Sequence, residues 1–262
     1  MQLDGCTALI TGASAGLGSE FARQLGPRAK CLVLVARRVN RLEELRAELT
    51  AANANLAVHI RAFDLSNVDE VNALSPWLCE QKITTDLLIN NAGVGDHGTF
   101  ATSSLDRVTA MLAVNVHALT ALTHALLPAM IRQGRAAILN VSSSASFLPL
   151  PRLGVYAATK AYVTSFSEAL RMELRGTGVE VTALCPGPVH TEFESVAARP
   201  EGTRELAPDF TYVTPEEVVR DALAAVEGDR ALVIPGFIMK LAMALVRLTP
   251  MPVLRLAARV AR

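Results

Sequence analysis

A tyrosine and a lysine four positions apart, Tyr156 and Lys160, form the arrangement in the sequence that is best suited to chemistry. In a helix, side chains at this spacing lie on the same face. A neighbouring cation favours the phenolate, so we expect Lys160 to lower the pKa of Tyr156 from its ordinary value of about 10 and to make it a general acid or base. Taken alone, a tyrosine and a lysine at this spacing are usually just surface residues of a helix. However, Ser143 precedes Tyr156 by thirteen positions, at the end of an apolar run, and this favours a reaction site.

A glycine-rich segment, residues 11–18 with the sequence TGASAGLG, follows the first apolar run and opens a helical pattern. Glycines let the backbone come close to a pyrophosphate, and the free N–H groups at a helix N-terminus favour negative charge. We therefore expect Gly12, Gly16 and Gly18 to lie against phosphate groups. The alternative is a turn between a strand and a helix that binds no ligand.

These residues must be positioned by short apolar runs that alternate with longer helical patterns. Seven runs are predicted to be strands: 7–10, 31–36, 56–63, 86–90, 136–142, 179–185 and 231–234. Because the runs are continuously apolar, we expect a parallel sheet with helices on both faces, which is a Rossmann-like doubly wound α/β fold in a single domain. In such sheets, ligands bind beyond the carboxyl ends of the strands.

Two of the helices are well marked. One is predicted over 41–50, where three leucines share one face. The other is predicted over 214–226, with Thr214 as its N-cap and Pro215 as its first residue. Gly228 is expected to end it.

Several motifs occur in the order of one family, and together they resemble the short-chain dehydrogenase/reductase family over about residues 5–235. The resemblance implies an oxidoreductase that transfers hydride, with NAD(P) as its cofactor. The matching pieces are residues 11–18, Asp64, residues 90–93 (NNAG), Asn115, Ser142-Ser143, residues 156–160 (YAATK) and Pro186-Gly187.

The resemblance also implies catalytic roles. Ser143 would hold and polarise the substrate carbonyl, and it is preferred over Ser142 and Ser144 because the serine of the family stands thirteen residues before its tyrosine. Tyr156 would give or take the proton. Lys160 would lower the Tyr156 pKa and also grip the nicotinamide ribose, which suits a long flexible cation.

Asn115 is a polar residue within an apolar helical stretch. From the residues alone, it could be a core amide whose hydrogen bonds are satisfied, because an unsatisfied buried amide is costly. The resemblance makes it instead the fourth catalytic residue, at a helix kink that holds a water relaying protons to Lys160.

A cofactor-binding set also follows from the resemblance. Asp64 would receive the adenine amino group, although taken alone it would be a helix N-cap. Residues 90–93 would stabilise the sheet and line the adenine-ribose pocket, and Val189 and Thr191 would orient the nicotinamide amide. The full set is Gly12, Ser14, Gly16, Leu17, Gly18, Arg37, Asp64, Leu65, Asn91, Ala92, Gly93, Tyr156, Lys160, Pro186, Gly187, Val189 and Thr191.

Cofactor preference depends on the end of the second predicted strand, where Arg37 and Arg38 follow and no carboxylate is present. An acidic residue there would bind the ribose hydroxyls of NAD, whereas an arginine can pair with the 2′-phosphate of NADP. We therefore expect NADP(H) to be preferred, with NAD(H) as the alternative, and Arg37 to clamp the phosphate together with Ser14. Arg38 is the weaker candidate, and both arginines could be solvated loop charges. Ala15 supplies no further basic group within the glycine segment.

The composition excludes several classes of protein. The 262 residues carry 25 Lys+Arg and 25 Asp+Glu, so the chain lacks the basic excess of a nucleic-acid-binding protein. Hydrophobic residues make up 51% and the mean hydropathy is +0.31, which excludes a disordered chain. No uninterrupted apolar run approaches the roughly 18 residues of a spanning helix.

The histidines and cysteines predict neither a metal nor a disulfide framework. The five histidines show no metal-ligand spacing, so we expect no metal. The four cysteines are scattered and are expected to be reduced, buried thiols. Together with an N-terminus that lacks the pattern of a secretory signal, they predict a cytoplasmic location.

The last 26 residues, 237–262, differ from the rest of the chain. They contain five basic residues, no acidic one and 18 residues of the hydrophobic class, which leaves a net charge of −5 on residues 1–236. We expect a catalytic domain over 1–236, with a substrate lid at about 191–213, followed by a helical extension. The extension could lie on an anionic membrane surface, at a subunit interface or over the substrate pocket.

The resulting hypothesis is an NADPH-dependent enzyme that reduces the carbonyl of a lipophilic small molecule, or oxidises the alcohol. The few aromatic residues favour a pocket lined by Leu, Val, Ala and Met. The alternatives are a non-catalytic NAD(P)-binding regulator on the same fold and an NAD-linked alcohol dehydrogenase. The resemblance further implies a homodimer or homotetramer.

Overall fold

The seven apolar runs form one parallel sheet in the computed structural model, which describes residues 1–199 and 211–260. The strand order is β3-β2-β1-β4-β5-β6-β7, and the bounds differ from the predicted ones by no more than one residue at either end. The strands are β1 (Thr7–Thr11), β2 (Cys31–Ala36), β3 (Ala57–Ala62), β4 (Leu87–Asn90), β5 (Ala136–Val141), β6 (Val179–Leu184) and β7 (Leu232–Val233).

Helices cover both faces of this sheet, as predicted. In chain order they are α1 (Gly16–Leu25), α2 (Val39–Ala52), α3 (Val68–Glu80), α4 (Leu105–Leu112), α5 (Leu119–Gln133), α6 (Gly154–Glu173), α7 (Glu192–Ala197), α8 (Pro215–Glu227), α9 (Phe237–Leu248) and α10 (Met251–Val260). Buried side chains of α1, α2 and α8 form one core with the sheet. Those of α3, α5 and α6 form a second core on the opposite face.

The inner strands are mostly apolar because their side chains enter both cores in alternation, whereas the edge strand β3, which carries His59 and Arg61, is only partly buried. Ile10 of β1 and Leu34 of β2 lie in the core beneath α1, whereas their neighbours Leu9 and Val33 lie in the other core. All four side chains are fully buried. A strand that faced water on one side would alternate between apolar and polar residues instead.

The helix signals are confirmed at two places. The three leucines of the predicted helix 41–50 are buried on α2. The hydroxyl of Thr214 accepts a hydrogen bond from the N–H of Glu217, Pro215 is the first residue of α8, and Gly228 caps its end.

Asp64 is not the helix N-cap that it would be on sequence grounds alone. The N-cap of α3 is Asn67, whose side chain accepts hydrogen bonds from the N–H groups of Asp69 and Glu70. Asp64 lies three residues earlier and accepts hydrogen bonds from both the N–H (2.9 Å) and the hydroxyl (2.7 Å) of Ser66. This local turn delays the start of the helix and leaves Asp64 at the end of the sheet.

The strand order places β1 beside β4, although β2 and β3 intervene in the chain. The chain therefore adds strands to one side of β1 and then to the other. The loops that follow β1 and β4 diverge at this point and leave a crevice beyond their carboxyl ends, where ligands of doubly wound sheets bind.

Among the described residues, one helical run, Leu105–Gln133, is long and apolar enough to cross a membrane by length and composition. It comprises α4, a π-helical segment (Ala113–Ala118) and α5. Its buried side chains, including Leu122, Leu126 and Met130, belong to the second core. We therefore interpret it as a core helix of this fold.

Cys6, Cys31 and Cys185 are buried, as expected, and burial raises the pKa of each thiol. Cys79 was expected to be buried as well, but it is exposed. It lies near the end of α3, one residue beyond the buried Leu78, on the side of the helix that faces water.

Candidate active site

The end of β5 and the first turns of α6 bring Ser143, Tyr156 and Lys160 to one cavity. Ser143 follows β5 and is the N-cap of a short 3-10 helix (Ser144–Phe147), where its Oγ accepts the N–H of Ala145 at 3.1 Å. Tyr156 and Lys160 lie one helical turn apart on α6, as their spacing predicts. The structure thus assembles three of the four predicted catalytic residues around one space.

The neighbouring serines also line the cavity and make contacts of their own. The hydroxyl of Ser142 donates to the carbonyl of Lys160 at 2.8 Å and lies 2.7 Å from the hydroxyl of Thr164. Ser142 therefore holds the end of β5 against α6. The backbone N–H of Ser144 donates to the carbonyl of Pro186 and fixes the loop after β6.

Lys160 is almost fully buried, with 4% of its surface exposed. Its Nζ donates a hydrogen bond to the carbonyl of Val141 at 2.8 Å and lies 5.8 Å from the centroid of the Tyr156 ring. Burial lowers the pKa of Lys160 to about 8 because the charged form is poorly solvated. The side chain is thus held in one place beside the phenol.

The pKa of Tyr156 shifts in the direction opposite to the one expected from sequence. Burial raises it to about 12, and a hydrogen bond with Ser143 offsets this only in part. The expectation that Lys160 brings this pKa toward neutrality is therefore wrong for this structure. The reason is that desolvation, which the spacing of the two residues does not reveal, is the dominant effect.

Asn115 lies in the π-helical segment between α4 and α5. Its Oδ1 accepts the N–H of Val94 at 2.9 Å, and its Nδ2 donates to the carbonyl of Val94 at 2.9 Å and to the hydroxyl of Thr159 at 3.0 Å. The amide is thus a satisfied core group that ties the loop after β4 to α6. The π-helical turn is the helix irregularity that the resemblance implies, and such turns are frequent at functional sites.

Two of the predicted phosphate-binding glycines are required by the fold itself. Gly12 has a φ of +67°, and a Cβ there would lie 2.9 Å from the Cα of Ala92. A Cβ on Gly18 would lie 2.2 Å from the carbonyl oxygen of Gly12. The turn can therefore close tightly against the loop after β4 and begin α1 at Gly16. Ala15, the N-cap, offers no side-chain bond to the first N–H groups of α1.

Residues 90–93 tie β4 to its neighbours. The Nδ2 of Asn91 donates to the carbonyl of Thr11 at 2.8 Å, and the hydroxyl of Thr11 accepts the N–H of Ala92 at 3.0 Å. The Nδ2 of Asn90 donates to Asn140 of β5 at 2.8 Å. These bonds fix the crevice between β1 and β4 at its base.

One cavity of about 570 Å³ unites most of the predicted site. Ser143 and every residue of the predicted cofactor-binding set except Gly18 line it. Asn115 does not line it, although its neighbour Val114 does. Residues predicted from motifs up to 179 positions apart therefore meet around one space that begins at the glycine turn and ends at Tyr156. This arrangement fits an elongated dinucleotide with its phosphates at the N-terminus of α1.

The two arginines after β2 have different contacts. Arg38, not Arg37, contacts Ser14, with 3.2 Å between Nε and Oγ. Arg38 also pairs with Glu192 at 3.0 Å, and Arg41 pairs with the other oxygen of that carboxylate at 2.6 Å. Arg37 lines the cavity on the side of Asp64. Burial tends to raise the Asp64 pKa, but the Ser66 hydrogen bonds and the charge of Arg37 outweigh it and lower the pKa.

The first part of the predicted lid, 191–213, folds as α7 over the reaction site. Thr191 caps this helix. The ring of Phe193 lies 5.4 Å from the ring of Tyr156, centroid to centroid. Residues 200–210 of the predicted lid lie outside the described residues. Phe193 and Glu192 were missed from the sequence, although they directly follow the cofactor-binding turn and could have been suspected on that ground.

Beyond α7, the chain is held by Arg199, whose Nε donates to Asp96 at 2.7 Å. Asp96 is buried, and the hydrogen bond and charge of Arg199 lower its pKa although burial opposes this. Arg107 approaches the same carboxylate at 3.7 Å. The lid is thus tied to the loop after β4 by residues that no sequence motif indicated.

The first helix of the extension, α9, covers one end of the cavity. Met239 and Met243 of α9 line it. A Cβ on Gly187 would lie 2.7 Å from the Cε of Met239, so α9 packs directly on the predicted cofactor-binding turn. The remaining lining of this end is aliphatic, as expected, with Phe193 as the added ring, and includes Leu148, Leu150, Leu153 and Val196.

Comparisons with known proteins identify a family for this chain. A family model described as short chain dehydrogenase matches residues 6–201. A sulfoacetaldehyde reductase of Chromohalobacter salexigens is 41% identical over 206 residues, which cover 78% of this chain and 79% of that protein.

Two solved structures have the same fold. A short-chain dehydrogenase from Sphingobium yanoikuyae in complex with NADPH is 32% identical, with a TM-score of 0.81 over 88% of each chain. A short chain dehydrogenase/reductase from Burkholderia phymatum in complex with NAD is 29% identical, with a TM-score of 0.81 over 94% of each chain.

The chain therefore belongs to the short-chain dehydrogenase/reductase family. It is an NAD(P)-dependent oxidoreductase, and the Rossmann-like fold, the enzyme class and the use of a nicotinamide cofactor are confirmed. The two structures contain NADPH and NAD respectively, so both forms of the cofactor occur among its structural neighbours. Members of the family act on small molecules and commonly form oligomers.

Proposed function

We propose that the protein reduces the carbonyl group of a lipophilic small molecule, or oxidises the corresponding alcohol, and that it prefers NADPH. The observation that carries the proposal is that Ser143, Tyr156 and the buried Lys160 together line one end of a cavity whose other lining residues include the predicted cofactor-binding set. A hydroxyl, a phenol and an ammonium group in this order suit proton transfer to a carbonyl oxygen.

In the proposed mechanism, Ser143 donates a hydrogen bond to the substrate carbonyl oxygen and orients it. Tyr156 delivers its phenolic proton to the same oxygen as negative charge develops there, and takes it back when an alcohol is oxidised. Lys160, held by the carbonyl of Val141, places positive charge beside the phenolate. When bound, the nicotinamide supplies hydride to the carbonyl carbon or accepts it from the alcohol.

Burial raises the pKa of Tyr156, so the phenol is protonated at neutral pH and holds the proton that reduction requires. Asn115 acts through Val94 and Thr159 as a positioning residue, because its amide holds α6 in register with the loop after β4. We assign to the π-helical turn around it the water that relays protons to Lys160.

The preference for NADPH is supported by Arg38 and Arg41, which meet one carboxylate next to Ser14. Guanidinium groups that bind a carboxylate can also bind a phosphate, since both present paired anionic oxygens. Arg37 adds a third positive charge at the edge of the cavity. NAD(H) is the second cofactor under this proposal.

The lipophilic substrate class is supported by the aliphatic lining around Leu148, Leu150, Met239 and Met243. We further propose a homodimer or homotetramer in the cytoplasm, in keeping with the oligomers of the family and with four cysteines that form no disulfide.

The test is a panel of aliphatic and alicyclic ketones with NADPH and with NADH. We expect turnover with NADPH, and a decrease in kcat of about 10²- to 10⁴-fold in Tyr156→Phe, with cofactor binding retained. Tyr162→Phe is the matched control, since Tyr162 lies on the same helix and contacts Thr120 outside the cavity. Cofactor binding without turnover on any ketone or alcohol would instead support the non-catalytic regulator.

A further inference from the structure

Helix α9 presents two different faces. Met239 and Met243 point inward and line the cavity, and Met243 is buried. The opposite face carries five large apolar side chains that are between 52% and 83% exposed. These residues are Phe237, Ile238, Leu241, Leu245 and Leu248.

The spacing of the five exposed residues places them in one stripe along the helix. Single exposed apolar residues are ordinary on protein surfaces, but a continuous stripe marks a surface that contacts an apolar partner. Met251 and Val253 of α10 are also exposed and extend the apolar surface beyond the end of α9. The exposed surface therefore requires an occupant.

The charges around the stripe favour an anionic occupant. Lys240 and Arg247 are exposed beside it, Arg255 is exposed on α10, and residues 237–262 include no acidic residue. A second copy of the same face would bring like charges together without a carboxylate from either segment, which is unfavourable. An anionic phospholipid surface offers both apolar chains and negative headgroups.

The rest of the molecule agrees with this orientation. Residues 1–236 carry a net charge of −5, so an anionic surface would repel the body and attract the extension. The guanidinium of Arg247 lies 5.5 Å from the centroid of the Phe147 ring, and this holds α9 against the loop that carries Ser143. The helix is therefore fixed to the body with its apolar stripe outward.

We propose that the outer face of α9 lies in the headgroup region of an anionic phospholipid bilayer, and that substrate enters the cavity from the bilayer past Met239 and Met243. The access route rests on the proposed function, because it takes the substrate to be a lipophilic carbonyl compound. The docking itself does not depend on the reaction. With α9 on the bilayer, the substrates that reach the cavity by this route are ketones or alcohols that partition into the membrane.

The first experiment measures co-sedimentation of the full chain with vesicles of phosphatidylcholine alone and with added phosphatidylserine. We expect binding to the anionic vesicles that weakens with salt, and a decrease in partitioning of about tenfold or more in the double variant Leu241→Glu/Leu245→Glu. The matched control Phe100→Glu/Met172→Glu also replaces two exposed apolar side chains on other surfaces and should bind as the unmodified protein does. Lys240→Glu/Arg255→Glu should lose the preference for anionic vesicles.

Equal sedimentation with both vesicle types, or undiminished binding of the Leu241→Glu/Leu245→Glu variant, would overturn the docking. The proposal would also be overturned if the unmodified protein bound no vesicles and the Leu241→Glu/Leu245→Glu substitutions dissociated its oligomer. The outer face of α9 would then be a subunit interface. Vesicle binding and oligomeric state are measured without turnover, so these results distinguish a failure of the docking proposal from a failure of the proposed function.

The second experiment tests the access route. With NADPH, the Leu241→Glu/Leu245→Glu variant should reduce a small water-soluble ketone at the rate of the unmodified protein, since neither residue lines the cavity. It should reduce a long-chain ketone carried in anionic vesicles more slowly, in proportion to its loss of binding. Equal rates on the vesicle-borne ketone would overturn the route from the bilayer.

Discussion

Arg38 and Glu192 form an ion pair, with 3.0 Å between Nη1 and Oε2, that connects the end of β2 with the first residue of α7. The next residue, Phe193, packs against the ring of Tyr156. A single carboxylate thus links the arginines that we assign to the 2′-phosphate with the helix that covers the reaction site. A phosphate that binds Arg38 and Arg41 must compete with Glu192 for the same N–H groups.

Replacing Glu192 with Gln should therefore strengthen NADPH binding. The expected gain is about two- to fivefold, because the ion pair is largely exposed and contributes little by itself. NADH, which lacks the phosphate, should bind almost unchanged. Fluorescence titration with both cofactors measures this, with Glu44→Gln on α2 as a control for the change in charge. Tighter binding of NADH by the same factor would show that the carboxylate acts on something other than the phosphate.

The two arginines after β2 can be separated by the same titration. We expect Arg38→Ala to weaken NADPH binding by about tenfold and NADH binding far less, because charge-assisted contacts to a phosphate are strong. Arg37→Asp should also weaken the binding of NADPH more than that of NADH. Arg37 would act from the part of the cavity wall that also includes Asp64. If a substitution weakened the binding of NADPH and NADH by the same factor, the replaced arginine would not bind the 2′-phosphate.

Lys160→Met should stabilise the fold while it abolishes activity. Burial lowers the Lys160 pKa from 10.5 to about 8, so below pH 8 the folded chain carries a buried charge at its full cost. Between these two values the unfolded chain holds a proton that the folded chain has released, and stability rises with pH. Removing the charge and its hydrogen bond to Val141 should raise the free energy of unfolding at pH 7 by about 2 kcal/mol.

Urea denaturation at pH 7 and at pH 10 measures this effect. The unmodified protein should gain stability between the two values from this group, whereas Lys160→Met should lack that gain. Lys30→Met, which replaces an exposed lysine, serves as the comparison and should change little. A Lys160→Met variant that is less stable at pH 7 would contradict the assignment.

Gly18→Ala should destabilise the protein even in the absence of cofactor. Its Cβ would meet the carbonyl oxygen of Gly12 at 2.2 Å, so the glycine turn or α1 would have to move. We expect a loss of roughly 1–3 kcal/mol in the free energy of unfolding, as for other overpacked sites. Gly154→Ala at the start of α6 is the control, because its Cβ would meet nothing within 4 Å. Thermal or urea unfolding of both variants measures the change in the free energy of unfolding.

Much of the fold could be predicted from local patterns. The inner strands are mostly apolar because both faces of the sheet are covered, and each of the seven strands was located to within one residue at either end. From their spacing and the resemblance to the family, Ser143, Tyr156 and Lys160 could be predicted to lie together, since β5 and the start of α6 are neighbours in sequence as well as in space. The glycines of residues 11–18 were found because a tight turn before a helix leaves few other residue types.

What the tertiary structure decided concerns contacts between residues that are far apart in the chain. The pairing of Arg38 with Glu192, 154 positions apart, and the packing of Met239 on Gly187 depend on how α7 and α9 lie across the sheet. The direction of the Tyr156 pKa shift depends on how much water the surrounding elements exclude. Periodicity and spacing describe a segment and its own faces, whereas desolvation and long-range ion pairs arise only when separate segments pack against each other.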